Sequence, residues 1–175
     1  MTFRMKRIFL ALLPILCISC HPAEHKLTGK WQAVHLDNPA LAEMIRNQQT
    51  FIDTLGTNTT PEQNDTLYGV RNTDSMRRVL QLQVDSFRAM QEQTLQHTQF
   101  EFRKDKVAIV HFGDTPDSAA WYIEDDDVLV LDEARLKGAG NKTRMEIEAL
   151  TGDTLKLRFT ENGITSSATF KSIGR

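Results

Sequence analysis

The chain is predicted to be mainly β, an antiparallel eight-stranded barrel interrupted by two amphipathic helices. Three observations predict it. In Arg144–Phe159, Met145, Ile147 and Ala149 alternate with charged residues, and after Thr151-Gly152-Asp153 so do Leu155, Leu157 and Phe159, the pattern of a β-hairpin with one buried face. From Gln99 onward, short period-two segments recur between Gly, Asn and Asp turns. Between Asn38 and His97 the apolar period lengthens to that of a helix.

At the N terminus, Arg4, Lys6 and Arg7 precede an almost unbroken apolar run from Ile8 to Ile18, which reads as a secretory signal, too short and wrongly flanked to span a membrane. Cys17-Ile18-Ser19-Cys20 sets a small residue directly before Cys20, with Cys17 where Leu is usual, and this resembles the lipobox of bacterial lipoproteins. The resemblance implies cleavage after Ser19, acylation of the Cys20 thiol and attachment to a membrane through N-terminal acyl chains. Residues 1–19 are then a signal peptide, 20–26 a polar tether containing His21 and His25, and 27–175 the domain, with 38–97 inserted in it. The 156-residue mature chain would hold no disulfide, and its 18 basic against 23 acidic residues leave a charge of −5. Without a basic cluster, neither nucleic acid nor electrostatic adhesion to anionic lipid is expected. His21 stands where a retention Asp follows the cysteine in some bacterial lipoproteins, so the outer membrane is the expected address, its periplasmic or surface face left open.

The first strand is expected over Leu27–Leu36, with Trp31, Ala33 and His35 on one face and Val34 and Leu36 on the other. Asn38 is placed to cap a helix with Pro39 at its first position, and Leu41, Met44, Ile45, Phe51, Ile52 and Leu55 carry its apolar stripe. The Thr-, Asn- and Asp-rich stretch 56–72 reads as a loop. Thr73 is placed to cap a second helix running to about His97, striped by Met76, Val79, Leu80, Val84, Phe87, Met90 and Leu95. Strands then follow around Phe100–Phe102, Val107–Phe112, Ser118–Glu124, Val128–Leu131, the two arms of the hairpin and Ile164–Phe170. The continuous run Val128–Leu131 predicts burial on both faces or cover by a helix, and Asp132–Asn141 reads as a long loop.

Gly29-Lys30-Trp31 opening the first strand, together with Trp121-Tyr122-Ile123, Val128–Leu131 and the Met145–Phe159 hairpin, resembles the lipocalins, and more closely the lipocalin-like domains of bacterial lipoproteins. The resemblance covers Leu27–Leu36 and roughly Gln99–Lys171, and it implies a barrel whose base is closed by Trp31. The helical insertion departs from the family's compact first connection.

Reactive chemistry finds little support. No His-x-x-x-His or carboxylate spacing marks a metal site, and Asp125-Asp126-Asp127 lacks the spaced oxygens, Gly and distant Glu of a calcium loop. There is no Gly-x-Ser-x-Gly, and Gly138-Ala139-Gly140-Asn141-Lys142 has no helix after it to hold a phosphate. No cofactor and no enzymatic activity are expected; a third reading gathers Asp125, Asp132 and Glu133 as catalytic carboxylates. What the sequence offers is apolar shape: Trp31, Phe100, Phe102, Trp121, Leu157, Phe159 and Phe170 are placed to point inward as a candidate pocket. Two functions are therefore expected. The chain binds a small hydrophobic ligand in the barrel, or its inserted helices bind a protein partner on a barrel scaffold.

Overall fold

The computed structural model describes residues 22–113 and 115–174, so the expected signal peptide, Cys20 and His21 lie outside the described residues. The elements are α1 (Pro22–Leu27), β1 (Gly29–Asp37), α2 (Pro39–Thr54), α3 (Pro61–Tyr68), α4 (Asp74–Gln96), β2 (Gln99–Phe102), β3 (Val107–Phe112), β4 (Thr115–Glu124), β5 (Val128–Asp132), α5 (Glu133–Lys137), β6 (Lys142–Leu150), β7 (Thr154–Glu161) and β8 (Ile164–Gly174). The eight strands pair antiparallel in sequence order and β8 closes on β1, the barrel the sequence predicts. Closure leaves no unpaired sheet edge around the ring.

The barrel has a closed base and an open mouth. Trp31, Phe102, Trp121, Leu129 and Leu155 are buried toward the base, where the Phe102 and Trp121 rings meet edge to face at 5.5 Å. The segment expected as a tether is helical from Pro22, and this helix closes the base. The cause is Leu27, which is fully buried while its carbonyl accepts a 2.7 Å hydrogen bond from Trp31 Nε1. Outside, Glu24 pairs with Lys106 at 2.5 Å, and the Lys106 ammonium lies 4.4 Å from the centre of the Trp121 ring system. Burial of a Leu side chain contributes roughly 1.5–3 kcal/mol, and it acts together with the Trp31 hydrogen bond and the Glu24–Lys106 pair on a six-residue helix that could not stand alone.

Two β-bulges change which residues face inward. In β1 the register shifts between Ala33 and His35, so Leu36, opposite Ala168, joins Trp31 and Ala33 on the inner side. His35, opposite Thr169, turns outward; the expected shared face of Trp31, Ala33 and His35 does not form. In β6 the shift lies between Ile147 and Ala149, so Ala149 leaves the inner face and Leu150, opposite Leu155, takes its place. An extra residue in one strand reverses the alternation beyond it.

The two long helices form where the periodicity places them. Asn38 caps α2 by accepting from Leu41 N at 2.9 Å, with Pro39 next to it. Thr73 precedes α4 but makes no side-chain cap; Asn72 Oδ1 accepts from Asp74 N at 2.8 Å instead. The expected loop 56–72 contains α3, started by a reciprocal box between Thr60 and Gln63 and ended by left-handed Gly69. α2 packs on α4, Gln49 Nε2 donating to Gln81 Oε1 at 2.9 Å. At their joined end Arg77 reaches back to α2, donating to the Ile52 carbonyl at 3.3 Å and also to the Leu55 carbonyl. β4 begins at Thr115, earlier than expected, and the loop after β5 holds α5, capped by Asp132 at Arg135 N (2.8 Å) and ended by left-handed Gly138. Val130 is buried on the outer side while Leu129 and Leu131 join the core, as the unbroken apolar run of β5 requires.

Candidate functional site

Above the floor the barrel is not filled. A cavity of about 950 Å³ occupies the mouth half. Its lower wall is Phe100, Phe170, Leu157, Ala168 and Met145, with Phe100 stacked on Phe170 at 4.9 Å. Higher up are Leu36, Phe159 and Phe112 from β1, β7 and β3. The side facing the insertion is formed by Asn38 and Leu41 at the start of α2 and by Phe87, Met90, Gln91, Thr94 and Leu95 of α4. Those α4 positions follow i, i+3, i+4, i+7 and i+8, one continuous helical stripe, so the last turns of α4 lie across the opening with one face.

The chemistry of this space is apolar with a few hydroxyls. Thr98, Thr143, Thr160 and Ser166 contribute to the lining, and Ser166 is buried. Lys142 and Arg144 border the mouth, but they are bound on the outer wall to Glu124, at 3.3 and 2.6 Å respectively. Glu161 sits exposed at the rim. The interior is therefore matched to a hydrocarbon or ring system, with polar groups near the entrance to meet a polar end.

Of the seven pocket residues expected from sequence, Phe100, Leu157, Phe159 and Phe170 line the cavity. Trp31, Phe102 and Trp121 do not; they are buried in the floor, each 1 % exposed. The two indole nitrogens there are spent on backbone carbonyls, Trp31 on Leu27 and Trp121 on Arg103 at 3.0 Å. Sequence reasoning missed Leu36, hidden by the bulge, and the α4 stripe as a cavity wall. The stripe was visible as apolar spacing, yet spacing does not say which partner it covers.

The three carboxylates of the catalytic reading are not brought together. Asp132 lies at the mouth end of β5 capping α5, Glu133 accepts from Asn141 N at 3.2 Å, and Asp125 lies in the turn before β5, at the base. Among the described residues no three His, Cys, Asp or Glu side chains are grouped to hold a metal ion, and no helix is long and apolar enough to cross a membrane. The shifted carboxylates of the barrel wall are structural. Glu148 is held below its ordinary range by the hydrogen bond from Lys156, and Asp117 by that from Lys137.

No protein-family model matches the chain, and no curated protein sequence matches it significantly.

Proposed function

We propose that this chain is a lipocalin-like lipoprotein of the bacterial cell envelope, held by acyl chains on Cys20, that carries one small hydrophobic molecule in its barrel. The observation that supports the reading is the cavity of about 950 Å³ over an aromatic floor. Eight-stranded barrels are just wide enough to be either filled or ligand-bearing, and an interior left open on this scale falls in the upper part of the size range of small-molecule sites. The signal-like N terminus and Cys20 carry the envelope part of the proposal, with the outer membrane as its address. The space is lined mainly by apolar side chains with a few hydroxyls near the entrance, which suits carriage of an apolar molecule.

Organic extraction of the purified native protein followed by mass spectrometry tests it, together with titration of an environment-sensitive apolar dye. A co-purifying lipid-like molecule, or saturable dye uptake that an apolar competitor reverses, is the expected result. A protein that releases nothing and takes up no dye would sink the ligand-carrying role.

One observation favours a second reading, in which the helices bind a protein partner. Met44, Phe51, Leu67, Val79 and Leu82 are exposed apolar side chains on α2, α3 and α4, the surface such a partner would meet. Polar replacement of Phe51 and Leu82 would abolish capture of that partner while leaving dye uptake intact.

A further inference from the structure

We infer that the closed base of the barrel is the face turned toward the bilayer, so that the cavity opens away from the membrane that holds the protein. The inference rests on the proposed acylation of Cys20. Its structural basis is the seat of α1. Leu27 is fully buried under the base, Trp31 Nε1 binds its carbonyl at 2.7 Å, and Glu24 is paired with Lys106 in the turn between β2 and β3. Two residue steps separate Cys20 from Pro22, a reach of at most about 7 Å however the chain runs. Acyl chains at Cys20 are therefore tied to the base. β1 starts there at Gly29 and ends beside the cavity at Asp37. Nine residues at strand rise and the usual barrel tilt put the mouth on the order of 20 Å farther from the anchor.

A short leash alone would let the barrel lie on its side, and on the β4, β6 and β7 side the outer wall opposes this. Along β6 and β7, Glu148 pairs with Lys156 at 2.8 Å and Glu146 with Arg158; along β4 and β6, Glu124 binds Lys142 and Arg144. Laying these ion pairs on hydrocarbon would strip their hydration without offering new partners. Upright, the wall stays in water and the exposed apolar rim, Leu36, Phe112 and Ile164, stands at the far end. The ligand is then exchanged with a donor or acceptor that approaches from the aqueous side, and is not drawn sideways from the leaflet that carries the anchor.

The acylated full-length product, reconstituted in vesicles whose lipids carry a headgroup quencher, tests this with two single-cysteine variants. Lys104→Cys places a fluorophore at the base and Ile164→Cys places it at the mouth, both on exposed turns or strand ends. Acylation occupies the Cys20 thiol, so the introduced cysteine takes the label. Quenching by lipid should be several-fold stronger at 104 than at 164, and quenching by aqueous iodide should rank the other way. Equal or reversed lipid quenching, with circular dichroism confirming folded variants, overturns the orientation. Mass spectrometry of the N-terminal peptide separates the two claims: an unacylated Cys20 removes the anchor and the orientation with it, whereas an acylated Cys20 with reversed quenching removes the orientation alone.

Discussion

The side-chain amide of Gln32 donates to the carbonyl of Leu95 at 2.9 Å, joining the start of the barrel to the last turn of α4 across 63 positions of chain. The same nitrogen lies 3.0 Å from the Gln96 and Thr98 carbonyls, while Gln32 Oε1 accepts from Gln99 Nε2 at 2.7 Å. The last carbonyls of a helix have no partner within it, and here one side chain supplies it. Gln32 thus fixes the angle at which the α4 stripe meets the cavity.

Gln32→Leu is expected to leave the Gln96 carbonyl without its donor and the Leu95 and Thr98 carbonyls with only the backbone N–H groups of Thr98 and Ala33, at a cost of roughly 1–3 kcal/mol. The loss should be local. Hydrogen exchange should accelerate over residues 91–98 with β6–β8 unchanged, and dye should enter and leave the cavity faster.

Ala168 lines the cavity opposite Leu157, so Ala168→Phe projects a ring into open space and not into packed core. Dye affinity should fall at least about tenfold while the melting temperature stays within a few degrees, since overpacking costs arise where no void exists. Undiminished uptake would place the dye site outside the barrel.

Gly56 has φ +72°, and a Cβ there would stand 2.3 Å from Thr73 Oγ1. Gly56→Ala should therefore destabilise the joint between α2 and α4 by about 1–3 kcal/mol. Adding Thr73→Ala should recover the part due to the clash and none of the part due to φ, which a double-mutant cycle on denaturant midpoints would separate.

Trp31→Phe keeps an aromatic ring in the floor and removes the donor to Leu27. About 1 kcal/mol of stability should go, and α1 should loosen first. Faster trypsin cleavage after Lys26, at a concentration that leaves the barrel whole, is the expected sign.

Stability should fall on the acid side. Glu101 is held below its ordinary 4.5 by the hydrogen bond from Arg103, with Lys30 adding attraction; Glu148 is held below the same value by Lys156, and Asp153 below 3.8 by the hydroxyls of Thr151 and Thr154. A carboxyl group whose native pKa is depressed lends stability that is complete above its unfolded value and is lost as pH falls through the native one. Melting temperature should be flat from pH 7 to about 5.5 and decline below about 4.5, less steeply at high salt because these pairs are exposed to solvent.

Much of the architecture is legible in the residues because each signal is local. The hairpin Arg144–Phe159 and the Asn38-Pro39 helix start depend on neighbours a few positions away, and they stand where expected. α3 was also legible: Thr60-Pro61 with Gln63 and a closing Gly69 is a complete set of start and stop signals inside a stretch whose polar composition suggested only a loop. The pocket was half legible. Alternation picked out seven inward side chains, but it carries no height along the barrel axis, so floor and lining residues read alike.

By itself the sequence determined the two long helices, the eight strands, their order and the alternation up to each bulge, since propensity, caps and periodicity act over one or two turns of chain. Only the tertiary structure decided which side of a bulge Leu36 and Leu150 would face, because a single unpaired residue is visible only against the neighbouring strand. Closure decided the rest. Bringing β8 to β1 set Trp31 over Leu27 as a floor, left the upper half of the barrel open, and gave the α4 stripe that opening to cover.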